Sequence, residues 1–185
     1  MSVETMVQKF LFIPHGQRRP DTPFRYNALH DIESTWWLGI WMLYFFQPEG
    51  HEESTHSSNL RQVETDGIFP GVLAHTGRLT FLTFQDYLFT CTEGWIAEVF
   101  TYAVEILNNV RLSLVDLYTE LERTFPNGIP MLLSQANPAS GAAFPGGPVI
   151  PIHEPIMCWF SEAKDRYRDT KLVPFKMEAN ESPQM

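Results

Sequence analysis

The chain has 185 residues, of which 44% are hydrophobic and 14% aromatic, and its formal net charge is −9. That length fits one domain or a piece of a larger protein, and the hydrophobic content is enough for a core, which excludes wholesale disorder. The acidic balance argues against a nucleic-acid partner, which would need a basic patch. We interpret the adjacent basic pair, Arg18 and Arg19, as part of a solvated loop.

The cysteine content and the start of the chain indicate the compartment. Cys91 and Cys158 are too few for a disulfide scaffold and too far apart for a cysteine-type zinc site, so we expect two free, buried thiols. The residues after Met1 show neither a basic start nor an apolar stretch, and no secretory signal is predicted. We therefore expect an intracellular, cytoplasmic protein.

The first third of the chain predicts a short helix, a loop and a long helix. Apolar residues at helical spacing favour a helix over residues 4–13, and the prolines of residues 14–29 favour a loop. Asp31 then stands where an N-cap or first-turn acid belongs, because negative charge is favoured at a helix N-terminus. The central helix, residues 31–46, is apolar on every side, which predicts that protein surrounds it. Its uncharged stretch has about a dozen residues, whereas a membrane span needs about 20.

The middle of the chain predicts a linker and two further helices. Residues 47–67 are polar and acidic, as in an exposed linker. The next apolar stretch is ambiguous between helix and strand, and we interpret residues 83–89 as a helix capped by Thr83. Residues 98–123 form the clearest amphipathic helix, because apolar residues step along it by three and four.

The end of the chain predicts a loop, a helix and a tail. Residues 134–152 are rich in Ala, Gly and Pro and favour a long irregular loop. A last amphipathic helix is predicted over residues 154–168, and residues 171–185 are expected to be a disordered tail. Strand signals are scarce throughout, so the predicted fold class is mainly α.

No group of residues makes a strong catalytic or metal-binding motif. His51 and His56 are five apart, whereas a zinc-protease helix needs its histidines four apart on one face. No nucleophile elbow and no glycine-rich phosphate loop occurs. The carboxylate pairs Glu52–Glu53 and Glu120–Glu122 are interpreted as solvated. The residues themselves predict no catalytic, cofactor-binding or metal site.

Arg111 is the unusual charge of the long helix. It lies four residues after Leu107 and three before Leu114, so its guanidinium is embedded among apolar neighbours. It either extends its charged end to solvent or pairs with a buried carboxylate from elsewhere in the chain. We favour pairing.

Residues 27–37, with the sequence Asn-Ala-Leu-His-Asp-Ile-Glu-Ser-Thr-Trp-Trp, resemble the His-Asp-Leu-Glu-Ser segment of the fungal-type protein kinases. In that family this segment opens the central helix of the C-terminal lobe. Residues 1–4 resemble the Ala-Pro-Glu motif that closes a kinase activation segment. The turn at residues 68–71, the stretch 78–88 and the long helix are similar to later parts of the same lobe. The likeness runs from Met1 to about residue 169.

The resemblance implies a protein-kinase-like C-terminal lobe built around a buried hydrophobic central helix. It gives Asp31 the role of the aspartate that holds the backbone of the catalytic loop. It gives Glu4 the role of the glutamate that pairs with an arginine, for which Arg111 is the first candidate and Arg78 the second. Without the family, Asp31 only caps its helix and Glu4 only favours a helix N-terminus.

The chain carries no glycine-rich loop, lysine–glutamate pair, catalytic-loop aspartate or magnesium-binding aspartate, on which phosphoryl transfer depends. In kinases all of these precede the Ala-Pro-Glu position, at which this chain begins. We therefore expect a catalytically incompetent, pseudokinase-like C-lobe fragment that is not an enzyme and uses no cofactor. The alternative is a small helical protein–protein interaction module derived from a kinase lobe, with a protein partner and no membrane association. A third interpretation is an independent helical protein with an accidental likeness.

Overall fold

The computed structural model describes residues 2–12, 24–69, 75–84, 86–127 and 153–175. Within these ranges the protein is mainly helical. The helices are α1 (Val3–Val7), α2 (Ala28–Phe45), α3 (Thr55–Ile68), α4 (His75–Thr83), α5 (Tyr87–Thr92), α6 (Thr101–Thr124) and α7 (His153–Arg166), and a 3₁₀ turn (Glu98–Phe100) precedes α6. Two short strands, β1 (Phe46–Pro48) and β2 (Leu172–Pro174), pair antiparallel.

Helix α2 is the predicted central helix and begins one turn earlier than expected. The side chain of Asn27 accepts a hydrogen bond from the N–H of Leu29 at 2.9 Å, and Nδ1 of His30 accepts one from the N–H of Asn27 at 2.9 Å. This reciprocal arrangement is a capping box in which a histidine takes the place of the usual Glu or Gln. Because Asn27 satisfies the first N–H groups, the helix begins at Ala28 rather than at Asp31.

The core lies where α2 packs against α6. Trp36 and Trp37 are both buried, and Nε1 of Trp36 donates to the carbonyl of Leu107 at 2.7 Å. Helix α6 also packs against α4, α5 and α7, which confirms the predicted long helix. Residues 98–100, predicted as the start of this helix, form the 3₁₀ turn instead, in which Val99 is exposed.

The prediction that protein surrounds α2 is wrong on one side. Leu38, Trp41 and Met42 are 56%, 38% and 43% exposed. They stand three and four positions apart, so they share one face of the helix. We call these three residues the α2 apolar stripe. No helix in the described part of the chain combines the length and the apolar character needed to cross a bilayer.

The prediction of an exposed linker at residues 47–67 is wrong, because these residues contain most of α3. Ser54 caps the helix by accepting the N–H of Ser57 at 3.1 Å. Much of α3 is exposed, but Arg61 and Thr65 are buried beneath it. The helix was missed because its buried face carries polar side chains rather than the apolar stripe that sequence patterns reveal.

The predicted helix over residues 83–89 is also wrong. Helix α4 ends at Thr83 and α5 begins at Tyr87, with Asp86 in the left-handed conformation at φ 58° between them. Thr83 does not cap a helix start, since its hydroxyl donates back to the carbonyl of Leu79 at 2.8 Å.

The helix predicted over residues 4–13 is present only as α1, which ends at Val7. Gln8 adopts the left-handed conformation at φ 53°. The helix does not continue beyond it, and the N–H groups of Leu11 and Phe12 bind side-chain carboxylates instead of helix carbonyls.

The last predicted helix is confirmed as α7, but the expected disordered tail is wrong for its first residues. Leu172–Pro174 forms β2, in which Pro174 pairs with Phe46. The predicted loop at residues 134–152, the remaining tail from residue 176 and the pair Arg18–Arg19 lie outside the described residues.

Candidate functional site

Three glutamates from three helices lie buried together beneath the N-terminal segment. Glu4 belongs to α1, Glu33 to α2 and Glu122 to α6, and their exposed fractions are 0%, 0% and 2%. We call this set the acid cluster. A buried carboxyl group is costly unless hydrogen bonds satisfy it or a proton neutralises it. The partners of each glutamate therefore decide what the cluster does.

Glu33 is fully occupied by donors from three parts of the chain. Its Oε1 accepts the N–H of Val3 at 2.7 Å and the indole N–H of Trp37 at 2.9 Å, while its Oε2 accepts the hydroxyl of Tyr118 at 2.8 Å. Burial raises the pKa of Glu33, and the three donors oppose that rise. Glu33 thus joins α1, α2 and α6 at one point.

The carboxyl group of Glu122 lies beside that of Glu4, and the hydrogen bond between them favours the protonated form of Glu4. Burial, followed by the hydrogen bond and the charge of Glu122, raises the pKa of Glu4 well above its ordinary value. Glu4 Oε1 accepts the N–H of Leu11 at 2.6 Å, and Glu122 Oε1 accepts that of Phe12 at 2.9 Å. The two carboxyl groups therefore hold the backbone of residues 11 and 12.

His30 completes the cluster as a neutral imidazole. Its Nδ1 faces the N–H of Asn27, which can only donate, so the ring proton is on Nε2. Nε2 lies 3.1 Å from Oε2 of Glu4 and donates to it. Burial lowers the pKa of His30 to about 4, although the nearby charge of Asp31 opposes the shift. The His30–Glu4 contact is thus a hydrogen bond rather than an ion pair at neutral pH.

The structure does not bring Arg111 to Glu4. The Nη1 of Arg111 donates to the carbonyls of Leu82 at 3.0 Å and Phe84 at 3.1 Å, and its Nε donates to Oδ1 of Asn108 at 3.0 Å. The guanidinium is buried, as expected, but it caps the C-terminal end of α4, where cations are favoured. The expectation that a carboxylate is its hydrogen-bonding partner is wrong.

Arg78, the second candidate, does not pair with Glu4 either. Its Nε donates to the carbonyl of Ile68 at 3.2 Å. Its guanidinium carbon lies 5.0 Å from the ring centre of Trp37 and 5.2 Å from that of Phe69. These are cation–π distances, so Arg78 ties α4 to the end of α3 and to α2.

Asp31 lies on the surface of the first turn of α2. It accepts a hydrogen bond from the hydroxyl of Tyr26 and is exposed. It therefore occupies the expected first-turn position, but the cap is Asn27. The acid that holds the backbone of a preceding segment is Glu33, two residues further on. The sequence did not single it out, although it lies in the segment that carries the resemblance.

Arg61 is a further buried charge that the sequence did not reveal. Its Nε donates to the carbonyl of Tyr44 at 2.9 Å, and its Nη2 donates to those of Leu43 at 2.8 Å and Phe46 at 2.6 Å. Nη1 pairs with Glu53, whose side chain is also buried. Arg61 thus caps the C-terminal end of α2, where cations are favoured.

The two carboxylate pairs interpreted as solvated each contain a buried member. Glu122 belongs to the acid cluster, and Glu53 pairs with Arg61. Their neighbours Glu52 and Glu120 stay nearer the surface, the latter paired with the exposed Arg123. Glutamates that stand close together in the sequence therefore lie in different environments, one buried and one near the surface.

The two cysteines also differ from each other. Cys91 is free and buried, and burial with a hydrogen bond to Glu64 raises its pKa to about 12, which makes the thiol unreactive. Cys158 is free but exposed, so the prediction of two buried thiols is wrong for it.

The described residues contain no group of three or more His, Cys, Asp and Glu side chains placed to hold a metal ion. The oxygens of the acid cluster accept hydrogen bonds from protein N–H and O–H groups instead. The cluster fastens the N-terminal segment to α2 and α6.

No family model matches the chain, and no curated protein and no solved structure is similar to it. The acid cluster and the exposed face of α2 are therefore the features of this protein from which a function can be inferred.

Proposed function

We propose that this protein is a catalytically incompetent lobe of the kind that forms the C-terminal half of fungal-type protein kinases. The observation that carries the proposal is the bond from the N–H of Val3 to Glu33, an acid inside the kinase-like His-Asp-Ile-Glu-Ser segment. In kinases an acid at the start of the central helix holds the backbone of a neighbouring loop. Here the start of α2 holds a preceding segment in the same manner, with Glu33 in place of Asp31.

The buried state of the acid cluster supports a structural role rather than phosphoryl transfer. Transfer from a nucleotide needs metal-binding acids and a lysine that face a solvent-filled cleft. Glu4, Glu33 and Glu122 are instead closed off and bound to backbone N–H groups and aromatic side chains. Such a cluster stabilises a lobe and offers no position for a nucleotide phosphate.

Nucleotide binding tests the loss of catalysis. Thermal unfolding of the purified protein is measured with and without Mg-ATP, since a ligand stabilises the folded protein that it binds. We expect the same melting temperature at every nucleotide concentration and no phosphate transfer to a generic protein substrate. A saturable rise in melting temperature, or measurable transfer, would contradict the proposal.

Amide hydrogen exchange tests the role of Glu33. Glu33→Gln replaces one acceptor oxygen of the carboxylate with an NH₂ group, which cannot accept the hydrogen bonds that Val3, Trp37 and Tyr118 donate. We therefore expect faster amide exchange at Val3 and its neighbours. Asp31→Asn is the matched control, because Asp31 is exposed and its side chain accepts a hydrogen bond from Tyr26. Unchanged protection in Glu33→Gln, or equal losses in both variants, would count against the proposed organisation.

A second candidate function is a protein–protein interaction module, and the α2 apolar stripe favours it. Large exposed apolar side chains that share a face mark interfaces or sites of aggregation. Leu38→Glu should reduce self-association or hydrophobic-dye binding, measured by sedimentation and fluorescence. Val63→Glu, at an apolar residue on α3 that is 70% exposed, is the control. A wild-type protein that is monomeric and binds little dye would contradict this function.

A further inference from the structure

A cavity of about 310 Å³ lies between α2, α6 and α7. Its walls are mostly apolar and include Met42 and Leu43 of α2, Leu107 of α6 and Phe160 of α7. Gly39 also lines it, and the absence of a side chain there lets α2 approach α6, since a Cβ would lie 2.7 Å from Cδ2 of Leu107. The cavity is distinct from the acid cluster, with which it shares no residue.

The size of this cavity fits a single hydrocarbon chain. This cavity is partly open to solvent. For comparison, an apolar cavity of about 150 Å³ holds one benzene ring of six carbons. A cavity of about 310 Å³ therefore has room for roughly ten to twelve carbons by the same measure. A two-chain lipid would exceed that volume.

One charged residue stands among the described residues that line the cavity. It is Lys164, in the last turns of α7, and its side chain is exposed. An exposed lysine in the lining of an apolar cavity favours a ligand that carries an anion at the end of its chain. This positive site is distinctive in a protein with a formal net charge of −9, whose overall field repels anions.

We propose that this cavity binds a straight aliphatic carboxylate of about ten to twelve carbons, with the chain between α2, α6 and α7 and the carboxylate beside Lys164. The inference is independent of any kinase-like role. It depends on the volume and lining of the cavity and on the position of one ammonium group.

The test compares sodium decanoate with 1-decanol, which has the same chain without the charge. Binding is measured by calorimetry on the full chain, below the concentration at which decanoate forms micelles. We expect saturable decanoate binding that is tighter than decanol binding. Lys164→Gln should weaken decanoate binding about 2- to 5-fold, as expected for an exposed ion pair, and leave decanol binding unchanged. Lys9→Gln, the same change at an exposed lysine of the N-terminal segment, should alter neither.

The position of the chain is tested separately by methyl NMR of the methionines. Decanoate should shift the methyl signal of Met42, which lines the cavity, and leave that of Met6 in α1 unmoved. Ala163→Phe, which fills the cavity from α7, should abolish the shift. If that variant does not fold, the NMR measurement on the wild-type chain still tests whether decanoate binds in this cavity.

Absence of saturable binding would overturn the proposal, and so would a signal that moves at Met6 rather than at Met42. Equal binding of decanoate and decanol by the wild-type protein would overturn the assignment of Lys164 to the carboxylate.

Discussion

Tyr118 donates its hydroxyl hydrogen bond to Oε2 of Glu33 at 2.8 Å in the interior of the protein. The two residues are 85 positions apart, so this bond fastens the end of α6 to the start of α2. The ring of Phe12 stacks on that of Tyr118 with 4.5 Å between centres. Tyr118 therefore connects α6 to α2 and to the N-terminal segment that the acid cluster holds.

Tyr118→Phe should destabilise the protein by about 1–3 kcal/mol, because it removes one donor from a buried carboxyl group and keeps the ring that packs on Phe12. The free energy of unfolding in urea measures the change. Tyr102→Phe is the matched control, since the hydroxyl of Tyr102 binds Glu162 at the surface, and it should leave the unfolding midpoint unchanged. Equal midpoints for wild type and Tyr118→Phe would show that the buried bond is not formed.

Arg61→Met should cost about 3–5 kcal/mol, because it leaves the buried carboxylate of Glu53 without its cation. It also removes the donors that satisfy the last carbonyls of α2. The control is Arg123→Met, which breaks an exposed pair with Glu120 and should cost about 0–1 kcal/mol. Urea unfolding of both variants gives the comparison, and a loss at Arg61 no larger than the control's would exclude the capping role.

The sequence predicted α2 because an uncharged apolar stretch follows an acidic helix start, and it predicted α6 because apolar residues repeat along it at helical spacing. Helix α6 followed from residues such as Val110 and Leu114, both of which are buried. Helix α3 was missed because Arg61 is central to its buried face and its partners are backbone carbonyls at the end of α2. Carbonyl groups have no sequence signature, so no pattern in residues 55–68 could reveal this contact.

The acid cluster could be predicted only in part for a similar reason. Glu4 was singled out, but the family resemblance gave it an arginine as its partner. In the structure a second carboxyl group, that of Glu122 118 residues away, lies beside it, and burial together with this neighbour raises the pKa of Glu4. A pairing of two acids cannot be inferred from their charges, which predict repulsion.

Glu4→Gln should flatten the dependence of stability on pH above about pH 4.5. The pKa of Glu4 is raised in the folded protein, so the folded state holds a proton that the unfolded chain releases. The stabilisation is complete below the unfolded pKa and is lost as pH rises through the folded one. Glutamine mimics the protonated acid and does not titrate. Urea unfolding between pH 4.5 and 9 should show wild-type stability falling more steeply with pH than that of Glu4→Gln.

A wild-type stability that falls less steeply with pH than that of Glu4→Gln would contradict a raised pKa of Glu4. Glu120→Gln, at a partly exposed glutamate of α6, provides the control for removal of one negative charge, and its profile should run parallel to that of the wild type.

At lower pH the titration of His30 should make the stability of the protein fall as the pH falls, the opposite of the effect of Glu4. Its pKa is about 4 in the folded protein, so between about pH 6.5 and pH 4 the unfolded chain binds a proton that the folded chain does not. Its contribution to stability is present above pH 6.5 and is lost as pH falls through about 4. His30→Gln, which retains an acceptor for the N–H of Asn27, should remove this acid-side loss.

Nitrogen NMR of the imidazole tests the same assignment without a substitution. We expect the proton on Nε2 at neutral pH and a titration midpoint near 4. A proton on Nδ1, or a midpoint near 6.5, would contradict the described hydrogen bonds.

Two glycines lie at the contact between α3 and α4, and replacing each by alanine should change the stability of the protein in opposite directions. A Cβ at Gly77 would lie 2.6 Å from the carbonyl oxygen of Gly67, a backbone atom that cannot turn aside, whereas a Cβ at Gly67 meets nothing within 4 Å. Gly77→Ala should therefore force the helices apart and cost about 1–3 kcal/mol. Gly67→Ala should gain about 0.5–1 kcal/mol, because alanine is the better helix former. Urea unfolding midpoints that move together in both variants would show that α3 and α4 do not pack at this point.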